Sequence, residues 1–181
     1  MTALPSLAAA RCTVRELRPA DAAALQRHAD DEAVWLNLLE GFPRPYTLAD
    51  AQAWCGGGWR EGGDVFAIEV GGEAAGCVGA SAFAPPGRAC NAEVGWWIGR
   101  ALWGRGLVVE ALGVFVPWLW RERPALTRLA ATIYARNRRS MRVAEKAGWV
   151  RESVQPRSIV KAGEILDAVV YATYREPRLS P

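Results

Sequence analysis

Glu93-Val94-Gly95-Trp96-Trp97-Ile98-Gly99-Arg100-Ala101-Leu102-Trp103-Gly104-Arg105-Gly106-Leu107-Val108-Val109-Glu110-Ala111 is the stretch on which the fold turns. It reads as a strand, a glycine-punctuated loop and the start of a long apolar helix. The first turn of a helix offers unpaired N–H groups and the positive end of its dipole. Glycines at such a junction let an anion approach the backbone, so the loop is a candidate pyrophosphate cradle. A plain tight turn carries the same pattern. Other phosphate motifs are missing: there is no G-x-x-x-x-G-K-[ST], which excludes a P-loop. Gly56-Gly57-Gly58 has no strand before it and does not complete G-x-G-x-x-G, which leaves a dinucleotide site unsupported.

Upstream of this stretch, Cys12 to Leu17 alternates like a strand, and Pro19 opens a helix through Ala22, Leu25 and Ala29. Asp31 to Leu39 predicts a second short helix. Thr47 caps a third, with Asp50 as capping-box partner and Leu48, Ala51 and Trp54 on its apolar face. Asp64 to Val70 and Ala74 to Phe83 predict a hairpin across Gly71-Gly72, followed by a turn at Pro85-Pro86-Gly87. Asn91 to Ile98 then counts as the fourth strand.

Downstream, the apolar helix runs to about Glu122, with Trp118 and Trp120 in the core beside Leu112 and Phe115. Thr127 to Ala135 predicts a buried strand, and Arg138 to Ala147 a helix stopped by Gly148. Trp149 to Val154 and Leu166 to Tyr174 complete the strands, with a turn at Ala162-Gly163. Antiparallel hairpins come first and strand–helix–strand units last. The expectation is one mixed α/β (α+β) domain over residues 1–181.

Composition narrows the function classes. The 181 residues are 51% hydrophobic and 23% charged, ordinary globular usage that argues against disorder, collagen and coiled coil. A net charge of +3 is too small to indicate a nucleic-acid binder without a concentrated patch. The single histidine, His28, excludes a multi-His metal centre and reads as a solvated surface residue. Cys12, Cys55, Cys77 and Cys90 form no C-x-x-C pair, so no metal site is expected. Met1 to Ala10 has no basic n-region, and Pro5 interrupts its apolar run. The longest apolar stretch, Gly106 to Trp120, is broken by Glu110 and too short to span a bilayer. These features predict a cytoplasmic protein with reduced thiols and no membrane partner.

Trp103-Gly104-Arg105-Gly106 followed by Glu110-Ala111 resembles the acyl-CoA signature of the GNAT superfamily of N-acetyltransferases. In particular it resembles the branch that acetylates ribosomal-protein N-termini, with its W-G-x-G-x-x-x-E-A. Ala92-Glu93-Val94-Gly95 matches that branch's acidic-start strand, and Asn137-Arg138-Arg139-Ser140 with Glu145-Lys146-Ala147-Gly148-Trp149 is similar to its N-x-x-S…E-K-x-G-F. Pro43 to Trp54 resembles its P-x-P-Y-T…D-A, and Gly163 to Tyr171 its closing G-x-x-x-D…Y. The superfamily pattern ends in Gly or Ala where this chain has Val108.

The resemblance implies a GNAT fold: a mostly antiparallel, splayed central sheet flanked by helices, with the CoA cleft between strands 4 and 5. It implies acetyl-CoA as co-substrate and no metal. Trp97, Ile98 and Gly99 would offer backbone groups to the pantetheine, and Arg105, Gly106, Leu107, Val108 and Val109 would form the pyrophosphate cradle. Asn137 would hydrogen-bond the pantetheine, with Arg138, Arg139 or Arg142 at the phosphates. Trp35, Phe42, Tyr46 and Trp54 fall in the segment that walls the acceptor site, though core packing accounts for at least half of them equally well. The acceptor would be a primary amine, on a protein N-terminus or a small molecule, and homodimers are common in the family.

Amine acetylation needs a neutral amine, a polarised thioester carbonyl and a proton for the departing thiolate. One subgroup places a Glu and a Tyr around the Asn as base and acid; here those positions hold Thr132 and Ala144. Glu93 is the carboxylate left on the fourth strand, and strand alternation puts it on the face of Gly95 and Trp97. Ser140 would stand near the sulfur, a position where serine is as often only a helix cap. Tyr134 is a lesser acid candidate. Glu110 and Asp167 read as salt-bridge partners. Two rival readings remain: a catalytically inactive acyl-CoA-binding module, because the Glu/Tyr pair is absent, and a nucleic-acid-binding domain using Arg136-Asn137-Arg138-Arg139 with Arg142.

Overall fold

The structure, a computed structural model, describes residues 6–58, 63–82 and 87–175. Its strands are β1 (Leu7–Ala8), β2 (Thr13–Glu16), β3 (Asp64–Val70), β4 (Glu73–Ala82), β5 (Asn91–Ile98), β6 (Arg128–Tyr134), β7 (Val150–Lys161) and β8 (Glu164–Tyr174). The helices are α1 (Ala22–Ala29), α2 (Glu32–Trp35), α3 (Leu48–Cys55), α4 (Leu107–Glu122) and α5 (Arg138–Lys146). Among the described residues the strands form one sheet in the order β1-β2-β3-β4-β5-β6-β8-β7. Every neighbouring pair is antiparallel except β5 and β6.

The hairpin across Gly71-Gly72 forms as expected. Both glycines have positive φ, +62° and +83°, the backbone that a two-residue turn matching strand twist requires. The predicted end of β4 at Phe83 and the turn residues Pro85 and Pro86 lie outside the described residues.

Apolar residues close the sheet on both faces. On one face α4 buries Leu107, Val108, Ala111, Leu112, Phe115, Trp118 and Leu119. Phe66, Phe115 and Trp118 meet with ring centroids 4.9–5.7 Å apart, contacts worth roughly 0.5–1.5 kcal/mol each beyond area burial. That packing sustains α4 across Pro117, which removes a helical hydrogen bond. Trp118 is core as expected, whereas Trp120 is half-buried under the Arg175 guanidinium. On the other face α1 and α3 cover Leu17, Ala67, Ala74 and Cys77. The start of α1 is pinned by a buried ion network: Arg15 grips Asp21 through two hydrogen bonds of 2.8 Å and also pairs with Glu69.

Three expectations shift. Leu7–Ala8 adds an edge strand, so the expected fourth strand is β5 and the expected cleft falls between β5 and β6. The helix expected over Asp31 to Leu39 stops at Trp35 and continues as tighter turns, Asn37 N–H to Val34 and Leu38 N–H to Trp35. It tightens there because the Asn37 side chain takes the Ala33 carbonyl at 2.8 Å, the acceptor its own N–H would use in a continuing helix. The carbonyls of Leu36, Leu38 and Leu39 beyond are held by side chains from elsewhere in the chain. β7 extends to Lys161 instead of ending at Val154. As an edge strand exposed along almost its whole length, it needs no apolar alternation, so no pattern announces it.

Candidate active site

β5 and β6 run side by side for only three residue pairs, Asn91 with Arg128, Ala92 with Leu129 and Glu93 with Ala130. Beyond that point the ladder ends and the strands part. Further along β6, the Thr132 N–H donates to Glu93 Oε1 at 2.7 Å, so a carboxylate stands in for the next rung. The result is a gap bounded by Val94–Ile98 on one side and by the C-terminal half of β6 on the other.

The edge of β5 that faces the gap follows from strand alternation. Gly99 N–H donates to Ala75 O at 2.8 Å, so Gly99 turns to β4. Alternation then turns Ile98 outward and Trp97 inward. Of the three residues expected to offer backbone groups, Ile98 faces the gap, and its carbonyl accepts from Trp103 Nε1 at 2.8 Å. Gly99 instead makes room for a neighbour, since a Cβ there would lie 2.2 Å from His28 Nδ1. His28 is therefore no solvated residue. Its side chain is 19% exposed, its ring lies against Gly99, and its Nε2 sits 2.9 Å from Glu73 Oε1.

The glycine loop ends on Gly106, in the left-handed region at φ +79°, as the N-cap of α4. No side chain caps this end, and the first intrahelical bond runs from Glu110 N–H to Gly106 O. The N–H groups of Leu107, Val108 and Val109 thus have no helical partner. The Val108 side chain is buried in the core and stays out of any anion's path, which is why a bulkier residue than Gly or Ala fits here. Arg105 is exposed beside them. Sequence reading missed Arg11, whose guanidinium and N–H hold the Glu110 carboxylate and which lies against Gly106. The Arg11 hydrogen bonds hold Glu110 below the usual carboxylate range. Nothing local in the sequence joins residues so far apart.

α5 forms the other wall. Asn137 is its N-cap, and its Oδ1 accepts the Ser140 N–H at 3.1 Å. Ser140 Oγ accepts from Trp96 Nε1 at 3.1 Å across the gap, which leaves the hydroxyl proton free to donate elsewhere. Arg139 lies 5.1 Å over the Trp103 ring, a second contact across the same gap. Arg138, Arg139 and Arg142 are exposed on this helix. Arg136 does not join them: it pairs with Glu164 and donates to Leu36 O. The run Arg136-Asn137-Arg138-Arg139 is therefore split among separate roles.

Tyr134 is 7% exposed, and its hydroxyl donates to Leu38 O at 2.9 Å, with burial raising its pKa. That commits its proton to structure. Glu110 pairs with Arg11 as expected, whereas Asp167 accepts the backbone N–H of Arg157 instead of a cationic side chain. Of the four expected acceptor-wall aromatics, Tyr46 is buried in the second core and stacks on Phe42 at 4.8 Å. Trp54 packs on the same core. Trp35 is half-buried and donates to Phe42 O at 2.9 Å.

Residues 11–150, which include the parted strand pair and the uncapped helix start, match a family model, acetyltransferase (GNAT) domain. The chain belongs to this family. The GNAT domain here is 33% identical over 69 residues to "Probable N-acetyltransferase YjcK" of Bacillus subtilis (strain 168), a match covering 38% of each chain. In fold it is similar to an acetyltransferase (GNAT family) from Bacillus anthracis, with a TM-score of 0.80, 23% identity and coverage of 94% and 98% of the two chains. It is also similar to RimL, a ribosomal L7/L12 alpha-N-protein acetyltransferase solved in complex with coenzyme A. That likeness has a TM-score of 0.80 at 18% identity, covering 94% and 98%. No helix among the described residues is long and apolar enough to cross a membrane.

Proposed function

We propose that this single GNAT domain is an acetyl-CoA-dependent N-acetyltransferase acting on a primary amine. The observation that carries the reading is the gap beyond Glu93 and Ala130, with the uncapped start of α4 at its end. An open strand edge suits an extended amide chain such as pantetheine, and free N–H groups at a helix dipole suit a pyrophosphate. In this reading Leu107, Val108 and Val109 bind the pyrophosphate through their N–H groups, with Arg105 and Gly106 beside them. Ile98, flanked by Trp97 and Gly99, lines the pantetheine path; Asn137 and Arg142 border it from α5.

The chemistry forms a C–N bond and breaks a C–S bond, moving one proton from the amine and delivering one to the thiolate. Glu93 is placed to take the amine proton with the oxygen that Thr132 does not use. Ser140 is placed to steady the thiolate with its free hydroxyl proton. Neither group is a strong catalyst alone, so holding two substrates in register supplies most of the rate. A protein N-terminus is supported as acceptor by the fold likeness to RimL, an alpha-N-protein acetyltransferase; a small amine fits the same chemistry.

Calorimetric titration with acetyl-CoA tests the reading, followed by amine-dependent thiol release. The wild-type protein is expected to bind, and Gly106→Glu to abolish binding by placing a carboxylate in the cradle. Unchanged affinity in Gly106→Glu would remove the cradle from the mechanism.

A further inference from the structure

On the face covered by α1 and α3, the segment Asp31 to Phe42 crosses the gap between β5 and β6. Its near end is tied to the end of β5: His28 lies against Gly99, and Asp31 sits 3.7 Å from Arg100. Its far end is tied to the end of β6 and the tip of the β7–β8 hairpin. Arg136 donates to Leu36 O at 2.8 Å, Tyr134 Oη to Leu38 O at 2.9 Å and Lys161 Nζ to Leu39 O at 3.1 Å. Glu40 in turn accepts the Ala162 N–H at 3.0 Å. Three side chains thus hold the carbonyls of a short non-helical stretch, on the opposite face from α5 and the start of α4.

Lys161 stands at the centre of this anchoring. Its side chain is 0% exposed, unusual for an ammonium. Nζ lies 3.8 Å from the centroid of the Trp35 ring and 3.7 Å from Glu40. The cation is therefore solvated by the strap itself: a carbonyl, an aromatic face and a carboxylate, all from residues 35–40. A buried cation loses its partners if the strap lifts, which makes strap closure and Lys161 burial one event. Sequence reading gave Lys161 no role.

We infer that Lys161 is a positioning residue that fixes the strap over the acceptor side of the gap and leaves the CoA side untouched. The inference rests on the acetyltransferase reading for the identity of the two sides, but not for the anchoring itself. Lys161 touches no reacting atom; it acts through Trp35, Leu39 and Glu40. Its removal is expected to weaken acceptor binding more than turnover.

Hydrogen exchange read by mass spectrometry tests the anchoring on the full chain, comparing wild type with Lys161→Met and Arg136→Ala. Met keeps the length and apolar stem and leaves Leu39 O without its donor. Arg136→Ala works from an exposed residue and guards against a Lys161 variant that fails to fold. Peptides covering residues 31–42 are expected to exchange roughly tenfold faster or more in Lys161→Met, with β3 and β4 unchanged. Arg136→Ala is expected to loosen the same peptides to a smaller degree. Calorimetry with CoA on Lys161→Met should stay within about twofold of wild type, because the polar and aromatic partners of Lys161 all lie on the strap. With tripeptides beginning in Ser, Ala or Met and with spermidine as probes, KM for the amine turned over should rise about tenfold while kcat changes less.

Equal strap exchange in wild type and both variants would overturn the inference, as would a loosened strap with an unaltered KM. Faster exchange spread evenly over the sheet would reduce Lys161 to a plain core residue and also overturn it. Absence of CoA binding in the wild-type protein would count against the acetyltransferase reading instead, while the exchange result still decides the strap.

Discussion

Glu93 carries two roles that a pair of substitutions separates. Its Oε1 replaces a ladder rung by accepting the Thr132 N–H at 2.7 Å, and its second oxygen is the proposed proton acceptor. Gln keeps a carbonyl oxygen for Thr132 but loses the basic carboxylate; Ala loses both. A hydrogen bond to a charged group contributes about 1.5–3 kcal/mol and a neutral one about 0.5–1.5. Glu93→Gln should therefore cost about 1 kcal/mol and Glu93→Ala about 1.5–3 kcal/mol. For a chain of this size each 1 kcal/mol lowers Tm by roughly 2–4 °C. In thiol-release assays Glu93→Gln should slow acetyl transfer at neutral pH by up to ~10²–10⁴-fold, the usual contribution of a placed base. The loss should shrink at higher pH, where more of the amine is already deprotonated. A Glu93→Gln enzyme with the wild-type rate and pH profile would refute the base, and equal Tm in the two variants would refute the rung.

Asn137→Ala removes the α5 cap on Ser140 N–H and should lower stability by about 1 kcal/mol, with a weaker CoA titration alongside; an unaltered CoA affinity with a lowered Tm would leave Asn137 a cap only. Gly106→Ala forces a Cβ onto a φ of +79° and to 3.2 Å from Arg11 Nη2, so a loss of about 1–2 kcal/mol is expected in denaturant titration. Glu152 bonds Arg128 and Tyr174, and these bonds, the Arg128 bond most of all, pull its pKa down to about 2 from 4.5. A carboxylate depressed in the folded state stabilises above pH 4.5 and loses that contribution as pH falls toward 2. Thermal melts from neutral pH downward should show wild type losing more stability than Glu152→Gln, by no more than about 1 kcal/mol for so exposed a pair.

The strand–loop–helix at Glu93 to Ala111 was legible because each part has a local signature: β-formers, then glycines, then an apolar run. The uncapped helix start follows from Gly106 alone. What the sequence concealed was made by distant residues. Arg11, in the turn between β1 and β2, meets Glu110 on α4, and Lys161 meets Leu39 from the far hairpin; neither pairing leaves a periodic trace. His28 looked solvated because helix periodicity does not report that Gly99 leaves room for its ring. α2 ends early because the Asn37 side chain takes the Ala33 carbonyl that a continuing helix would use, a local competition that apolar periodicity does not report. Asn137 matched a family position, yet only the structure shows that its side chain caps α5.

A crystal structure of the protein with bound CoA tests the central claim most directly. The account predicts pyrophosphate oxygens within hydrogen-bond distance of the Leu107, Val108 and Val109 N–H groups, with the pantetheine in the gap between β5 and β6 and the thiol near Ser140 and Glu93. CoA bound elsewhere on the chain, with the start of α4 and the gap empty, would contradict it.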